Sequence, residues 1–362
     1  MKKFCRILAA VILGLILFLV GLEAYLRLSN FDDDDSLKAF SMPIYESSLA
    51  LSWKHNNSEN FGKYYGEDLS TNSLGYRDKD PVFEDEIILM LGDDFTFGRQ
   101  VAQSRIFGSI LDTRFEGIDF WNAAVNRYSI AQYATYVNQN MFVNVPNRKP
   151  KMVVMNLFMG DDFASLKNFK LLTETDTLPE LLVHKTIFVG PQGYLRLVDF
   201  DPIISMAWRE IQIQLLGKVE ESGREDWSEF LPVDNEFRDP DIDKYLAQAR
   251  RYLATIDNKL EEQGVEFLVV LIPMDVQVGR EYWRRYNNLP FDAQIMNEDL
   301  PQRGLKTFMQ NEGIEYLDLL PEFREDENRD DIYLKASIYL SEYGHRLVAD
   351  LLEAKVRQML GE

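Results

Sequence analysis

Four aspartates stand in two pairs, Asp93-Asp94 and Asp161-Asp162, each directly after an apolar run. Carboxylates gathered in one place repel each other unless they share a proton or a cation. An all-oxygen set of this kind suits Ca²⁺ or Mg²⁺, so these four residues form one candidate cation site. The plainer reading has Asp93 capping the helix that follows, with the others facing water. Two serines, Ser129 and Ser341, precede helical stretches. Either could be offered as a nucleophile, and each more simply caps its helix. A base for such a serine would have to come from only three histidines, His55, His184 and His345. Aromatic residues cluster in the same segments: Phe95, Phe97, Tyr128, Tyr339 and Tyr343 could stack on sugar rings or fill core space.

The elements that must position these residues are legible as short apolar runs. They are Ile87–Leu91, Ile118–Trp121, Met152–Phe158, Phe267–Pro273 and Ile314–Leu320. Runs apolar on both faces predict buried parallel strands. Helical stretches alternate with them. In residues 245–262 a stripe of Leu246, Ala249, Tyr252, Leu253, Ile256 and Leu260 gives a helical face. The alternation predicts a three-layer α/β/α domain around a parallel sheet of about five strands, of the flavodoxin-like kind. Ligands in such sheets bind beyond the carboxyl ends of the strands, where the paired aspartates lie. Residues 29–80 read as a linker and an irregular N-terminal extension packed on a domain spanning 81–362. An insertion at about 163–240 interrupts that domain, with a small β piece near 183–200 and a helix near 206–217.

The chain has 362 residues and a net charge of −20. Lys2, Lys3, Arg6 and Arg27 against Glu23 give residues 1–28 a net +3, which leaves −23 for the rest. So acidic a surface repels nucleic acid and excludes it as a partner class. The lone cysteine, Cys5, rules out an intramolecular disulfide. Residues 7–20 are apolar without a break and the pattern runs on to Leu26, enough for one membrane-spanning helix. The basic residues before it put the N-terminus in the cytoplasm and the main domain outside. Val20-Gly21-Leu22-Glu23-Ala24 is a poor cleavage site, so the segment reads as an uncleaved anchor over residues 1–28, and the membrane is the first expected partner. Asp32–Asp35 read as a solvated spacer.

Four segments together carry a family resemblance. Gly92-Asp93-Asp94-Phe95-Thr96-Phe97-Gly98 resembles the Gly-Asp-Ser-Phe-Thr-Phe-Gly block of the SGNH, or GDSL-like, hydrolase superfamily. Asn122-Ala123-Ala124-Val125-Asn126-Arg127-Tyr128-Ser129 resembles its Asn-x-Gly-x-x-Gly-Tyr-Ser block. Gly160-Asp161-Asp162 resembles Gly-x-Asn-Asp, and Tyr339-Leu340-Ser341-Glu342-Tyr343-Gly344-His345 resembles His-Leu-Ser-x-x-Gly-His. Thr71–Asp78 and Leu271–Val278 look like segments of membrane-anchored bacterial members.

The resemblance implies where the chemistry should sit, and there this chain departs from the pattern. The family's serine nucleophile falls on Asp94, its histidine base on Tyr339 and its aspartate on Ala336. The oxyanion-holding glycine falls on Ala124, and the oxyanion-holding asparagine on Asp161 or Asp162. A serine needs a base, and the base an orienting carboxylate. An aspartate in the oxyanion hole repels the charge it should stabilise. The resemblance therefore implies a retained fold without the catalytic triad, serving in binding or assembly, with Asp93, Phe95, Asn126, Tyr128 and Tyr343 as expected ligand-lining positions. No cofactor is implied. Related anchored proteins work beside membrane O-acyltransferases, so such an enzyme, or an envelope glycan, is the expected partner. An active esterase or O-acyltransferase with a rearranged site is the alternative.

Overall fold

The computed structural model describes residues 14, 18, 44–64, 66–81, 85–139, 149–160, 162–163, 165–166, 169, 187–189, 195–197, 242–279, 282, 299–335 and 337–362. Among these, no helix is long and apolar enough to cross a membrane. The expected anchor, Cys5, His184, Asp161, Ala336 and the helix expected near 206–217 lie outside the described residues.

The chain divides into two compact units. One comprises residues 1–43 and 186–224, and the other residues 44–185 and 225–362. The described part of the first is an antiparallel hairpin, and its strands fall within the small β piece expected from the sequence. All elements below belong to the second unit except that hairpin, which supplies β8 (Ile187–Val189) and β9 (Leu195–Leu197).

Five parallel strands form the central sheet: β5 (Glu86–Leu91), β6 (Ile118–Asn122), β7 (Met152–Phe158), β10 (Glu266–Ile272) and β11 (Glu315–Asp318). Their order is β11-β10-β7-β5-β6. All neighbours pair in parallel. Every residue of β6 and β7 is buried, as expected of strands covered on both faces. The apolar runs overshoot the strands at two ends. β10 stops before Pro273, which has no N–H for the ladder. β11 stops at Asp318, whose carboxylate accepts from the Leu320 amide and starts a helix at Leu320–Glu325 with Pro321 in its first turn.

Counted in chain order, the sheet reads 2-1-3-4-5, so the order reverses between β5 and β7. A ligand site in such a sheet lies beyond the carboxyl ends of those two strands. Asp93-Asp94 follow β5, and Asp162 follows β7. The helices around the sheet include α1 (Asp94–Phe97), α2 (Phe107–Asp112), α3 (Ile130–Asn138), α4 (Ile242–Glu261) and, last in the chain, α8 (Glu342–Leu360). The predicted stripe of α4 is buried along its whole length, and α4 packs on α3. On α8, Val348, Ala349, Leu352 and Val356 join the core that holds Ile88, Met90 and Phe120, and α8 packs on α2.

The extension expected to be irregular is instead two antiparallel hairpins. β1 (Tyr45–Ser48) pairs with β2 (Ser52–His55), and β3 (Asn60–Tyr64) with β4 (Glu67–Ser70). In β2, Trp53 and His55 are buried while Ser52 and Lys54 between them are not, so the strand alternates as a half-buried strand should. Four residues are too few for that period to stand out among neighbouring turn formers.

Candidate functional site

The position the resemblance gives to a nucleophile holds a carboxylate that is already engaged. Asp93 caps α1, its side chain accepting from the Phe95 amide at 3.0 Å. Asp94, the first helical residue, is 8% exposed. One oxygen accepts from Asn126 Nδ2 at 2.7 Å and lies 3.5 Å from Arg99 Nε, and the other accepts from the Arg127 amide at 3.0 Å. Arg99 is itself 2% exposed, so Asp94 and Arg99 form a buried ion pair. Arg99 also donates to the Tyr339 hydroxyl at 3.1 Å and lies over the Tyr339 ring, 5.3 Å from its centroid. Asp94 and Tyr339, the nucleophile and base positions, thus share a guanidinium where a proton relay would have stood.

The hairpins supply the back of this arrangement. His55 Nε2 bonds Asn126 Oδ1 at 3.1 Å, which orients the Asn126 amide toward Asp94. Trp53 donates to the Asn126 carbonyl, and Tyr128 donates to the Trp53 carbonyl. Burial lowers the His55 pKa to about 4, so the imidazole is neutral and packs on Phe97 at 4.7 Å. It acts as a positioning group, not as a base for any serine. Arg77, wholly buried, donates to the carbonyls of Phe97, Gly98 and Val101, and so fixes the loop from which Arg99 projects.

Several expected site residues have other work. Ser129 forms a capping box with Gln132 at the start of α3, and Ser341 caps α8 by accepting from the Gly344 amide at 3.1 Å. Neither stands beside a histidine side chain in any hydrogen bond of the described residues. The Ala124 amide points back to Asn122 Oδ1 at 3.3 Å instead of holding an oxyanion. Asp162 accepts from the Phe158 amide at 2.8 Å and shapes the turn after β7. Among the described residues no group of three or more acidic, histidine or cysteine side chains could hold a metal ion. Asp93, Asp94 and Asp162 each accept from a backbone amide, and Asp161, the fourth residue of the candidate cation site, lies outside the described residues.

The expected ligand-lining residues make contacts of their own. Phe95 stacks on Phe158 with ring centroids 4.0 Å apart, inside the core. Tyr128 is 5% exposed and its hydroxyl is tied to Trp53. Tyr343 bonds the Asp326 carboxylate at 2.8 and 2.9 Å, with Arg346 over its ring, and shares no hydrogen-bond partner with Asp94 among the described residues. Of that set, Asn126 hydrogen-bonds the Asp94 side chain. His345 packs on Phe107, as a Gly-His pair at a helix start should, and burial drops its pKa to about 3.

Three residues of the site escaped the sequence. Arg99 stands one residue past the first block. Tyr45, whose ring packs 5.4 Å from that of His55, stands far upstream, with no motif around it. Arg127 had a signal: it falls on the second glycine of the Asn-x-Gly-x-x-Gly-Tyr-Ser pattern, and its φ of 60° lies in the left-handed region that favours glycine.

A second buried charge group supports the start of the Asn122–Ser129 segment. Asp78 accepts from the Asn122 amide at 3.0 Å, close to Asp112 and Asp119, which share Lys79 at 3.1 and 3.0 Å. Burial, reinforced by neighbouring carboxylates, pushes Asp78 up to about 7 and Asp112 up to about 6. A carboxyl raised in the folded state contributes stability below its unfolded value, and loses it as pH climbs through the folded value. Chemical denaturation from pH 8 to pH 5 is therefore expected to show stability rising by on the order of 2 kcal/mol as pH falls. Asp78→Asn should flatten the rise, and a flat or opposite profile in the parent chain would refute this assignment.

Sheet order and the switch-point position of Asp94 define the fold class, a doubly wound α/β sheet, and the four blocks resemble those of SGNH hydrolases. Residues 222–362 match the family described as the SGNH hydrolase-like domain of acetyltransferase AlgX. Among curated proteins none matches. Solved structures similar to this chain include a lipase/acylhydrolase from Enterococcus faecalis, at 12% identity and a TM-score of 0.41, covering 76% of this chain and 96% of that one. A member of the lipolytic G-D-S-L family from Veillonella parvula has 12% identity and a TM-score of 0.38, covering 75% and 99%. The psychrotrophic esterase EstA from Pseudoalteromonas sp. has 9% identity and a TM-score of 0.38, covering 77% and 100%.

Proposed function

We propose that this protein is an SGNH hydrolase-like pseudoenzyme, anchored by its N-terminal segment on the outer side of a cytoplasmic membrane. It serves in binding or assembly during modification of an envelope polysaccharide. One observation carries the loss of catalysis: the nucleophile position is Asp94, paired with buried Arg99 and accepting from Asn126 and the Arg127 amide. No serine can attack from there, and Tyr339 in the base position accepts a hydrogen bond from Arg99 instead of taking a proton from a nucleophile. The apolar run of residues 7–20 behind Lys2, Lys3 and Arg6 supports the anchor and its orientation. A family description that names an acetyltransferase supports a place beside acyl transfer, with a membrane O-acyltransferase or the glycan itself as partner.

The full chain in detergent, given p-nitrophenyl acetate, is expected to release p-nitrophenol no faster than buffer does. Turnover well above that background would overturn the reading. If Ser129→Ala or Ser341→Ala then removed it, the nucleophile of a rearranged site would be identified.

A further inference from the structure

Among the described residues β6 pairs with β5 alone, so its outer edge carries amides that no strand takes up. Two side chains take them instead. Asp112 Oδ1, at the end of α2, accepts from the Phe120 amide at 2.7 Å, and Asp78 Oδ2 accepts from the Asn122 amide at 3.0 Å. Amides two residues apart on one strand edge place the two carboxyls roughly 7 Å from each other. Lys79, the residue after Asp78, reaches Asp112 Oδ2 at 3.1 Å and Asp119 Oδ1 at 3.0 Å. Asp119 is buried, and its other oxygen accepts from Trp121 Nε1. The charged groups around them on the same elements are engaged elsewhere. Arg77 holds the 97–101 loop, Asp80 accepts from the Ser73 amide, Arg114 pairs with Asp350 and Glu353 on α8, and Glu86 pairs with Lys151. Among the described residues, three carboxyls therefore share one ammonium, and Asp78 has no cation of its own. Full ionisation of such a group is opposed by repulsion, and one proton relieves it. The raised values of Asp78 and Asp112 agree with that geometry.

The same short segment holds both sides of Asp94. Arg77 fixes the loop that carries Arg99. Asp78 fixes Asn122, where the stretch begins that supplies Asn126 and the Arg127 amide to Asp94. We propose that Asp78, Lys79 and Asp112 form a clip over the open edge of the sheet, closed in acid and opening as pH rises, and that its opening frees the stretch that holds Asp94. A carboxyl that resists ionising in the closed clip favours the open one, where water reaches it. Opening therefore grows more frequent from the ordinary aspartate value, near 4, up to about 7, and levels off above. Asp78 is only half-buried, which softens the effect, so a rise of about tenfold between pH 5 and pH 7 is expected.

Hydrogen exchange of the full chain in detergent, read residue by residue and corrected for the intrinsic rate at each pH, tests it. The amide of Val154, inside β7, reports global unfolding. Asn122 and Arg127 are expected to open together, more often than Val154 at every pH, with the tenfold rise. Asp78→Asn keeps an acceptor for the Asn122 amide but cannot ionise, so it should remove most of that rise. Lys79→Gln withdraws the one cation and should make opening more frequent at pH 7. Asn122 opening no more often than Val154 would mean that the carboxyls act only on overall stability, and would overturn the proposal. So would an opening that is flat or falls with pH, a full rise surviving in Asp78→Asn, or no added opening in Lys79→Gln. A rise at Asn122 without one at Arg127 would overturn the link to Asp94.

Discussion

Asp94→Ala is expected to lower the unfolding free energy by about 3–5 kcal/mol, because it leaves the Arg99 guanidinium buried without its carboxylate. In a domain of this size that corresponds to a fall in melting temperature of roughly 6–12 °C. The side chains of the pair are 11% and 2% exposed, so solvent cannot take over the role of Asp94. Two further donors, Asn126 Nδ2 and the Arg127 amide, lose an acceptor at the same time. Arg99→Leu alone should also destabilise, by removing the donor to Tyr339 and exposing Asp94 to an apolar neighbour. The double variant should be far less damaged than the two losses added together, because neither charge is then left alone. Thermal melts of the two single variants and the double supply the cycle. Additive losses would show that the pair is not coupled.

Asp94→Ser then bears on function. It restores the residue type of the resembling block, yet the serine would face Arg99 and Asn126, with Tyr339 in place of a base. No esterase activity should appear. A catalytic nucleophile must be held loosely enough to attack, whereas Asp94 is held from three directions. The two demands on one position conflict, and here the structural one is met.

The central sheet could be read from the sequence because buried parallel strands are apolar on both faces. Met152–Phe158 stands out without reference to any partner, and its bounds coincide with β7. The switch point followed from order alone, and so did the position of Asp94. What could not be read was the ring of residues around Asp94. Arg99 looks like any charged residue in a loop; only Arg77, bonded to three loop carbonyls, shows why it is buried. Trp53 and His55 reach the site across more than 70 residues of chain in their contacts to Asn126, and no local period encodes a contact of that span. The expected ligand-lining residues were hard to judge for a related reason. Being aromatic and near a block does not separate a ring that faces a ligand from one that fills the core, and Phe95 and Tyr128 do the latter.

Gly344→Ala, at the opposite end of the chain, should be as damaging as loss of Asp94 although no chemistry is involved. A Cβ on Gly344 would lie 2.2 Å from the Ile332 carbonyl oxygen. That oxygen cannot swing away, because it accepts from the Ser341 amide at 2.9 Å. Something in the backbone must move, and a loss of about 3 kcal/mol or more is expected. Gly361→Ala is the contrasting case: its φ of 77° is unfavourable for alanine, but nothing lies near its Cβ, so only about 1 kcal/mol should be lost. Equal melting temperatures for the two variants would show that close approach is not what Gly344 provides. The comparison bears on why a Ser-x-x-Gly-His block can stay legible without a catalytic histidine. Ser341 caps α8, Gly344 lets the helix start against Ile332, and His345 packs on Phe107 and close to Gly98. Gly98 immediately precedes Arg99, and Tyr339 lies two residues before Ser341. The same contacts that seat α8 therefore set the distance between Arg99 and Tyr339, so a helix displaced by Gly344→Ala should loosen the Asp94 site as well as the core.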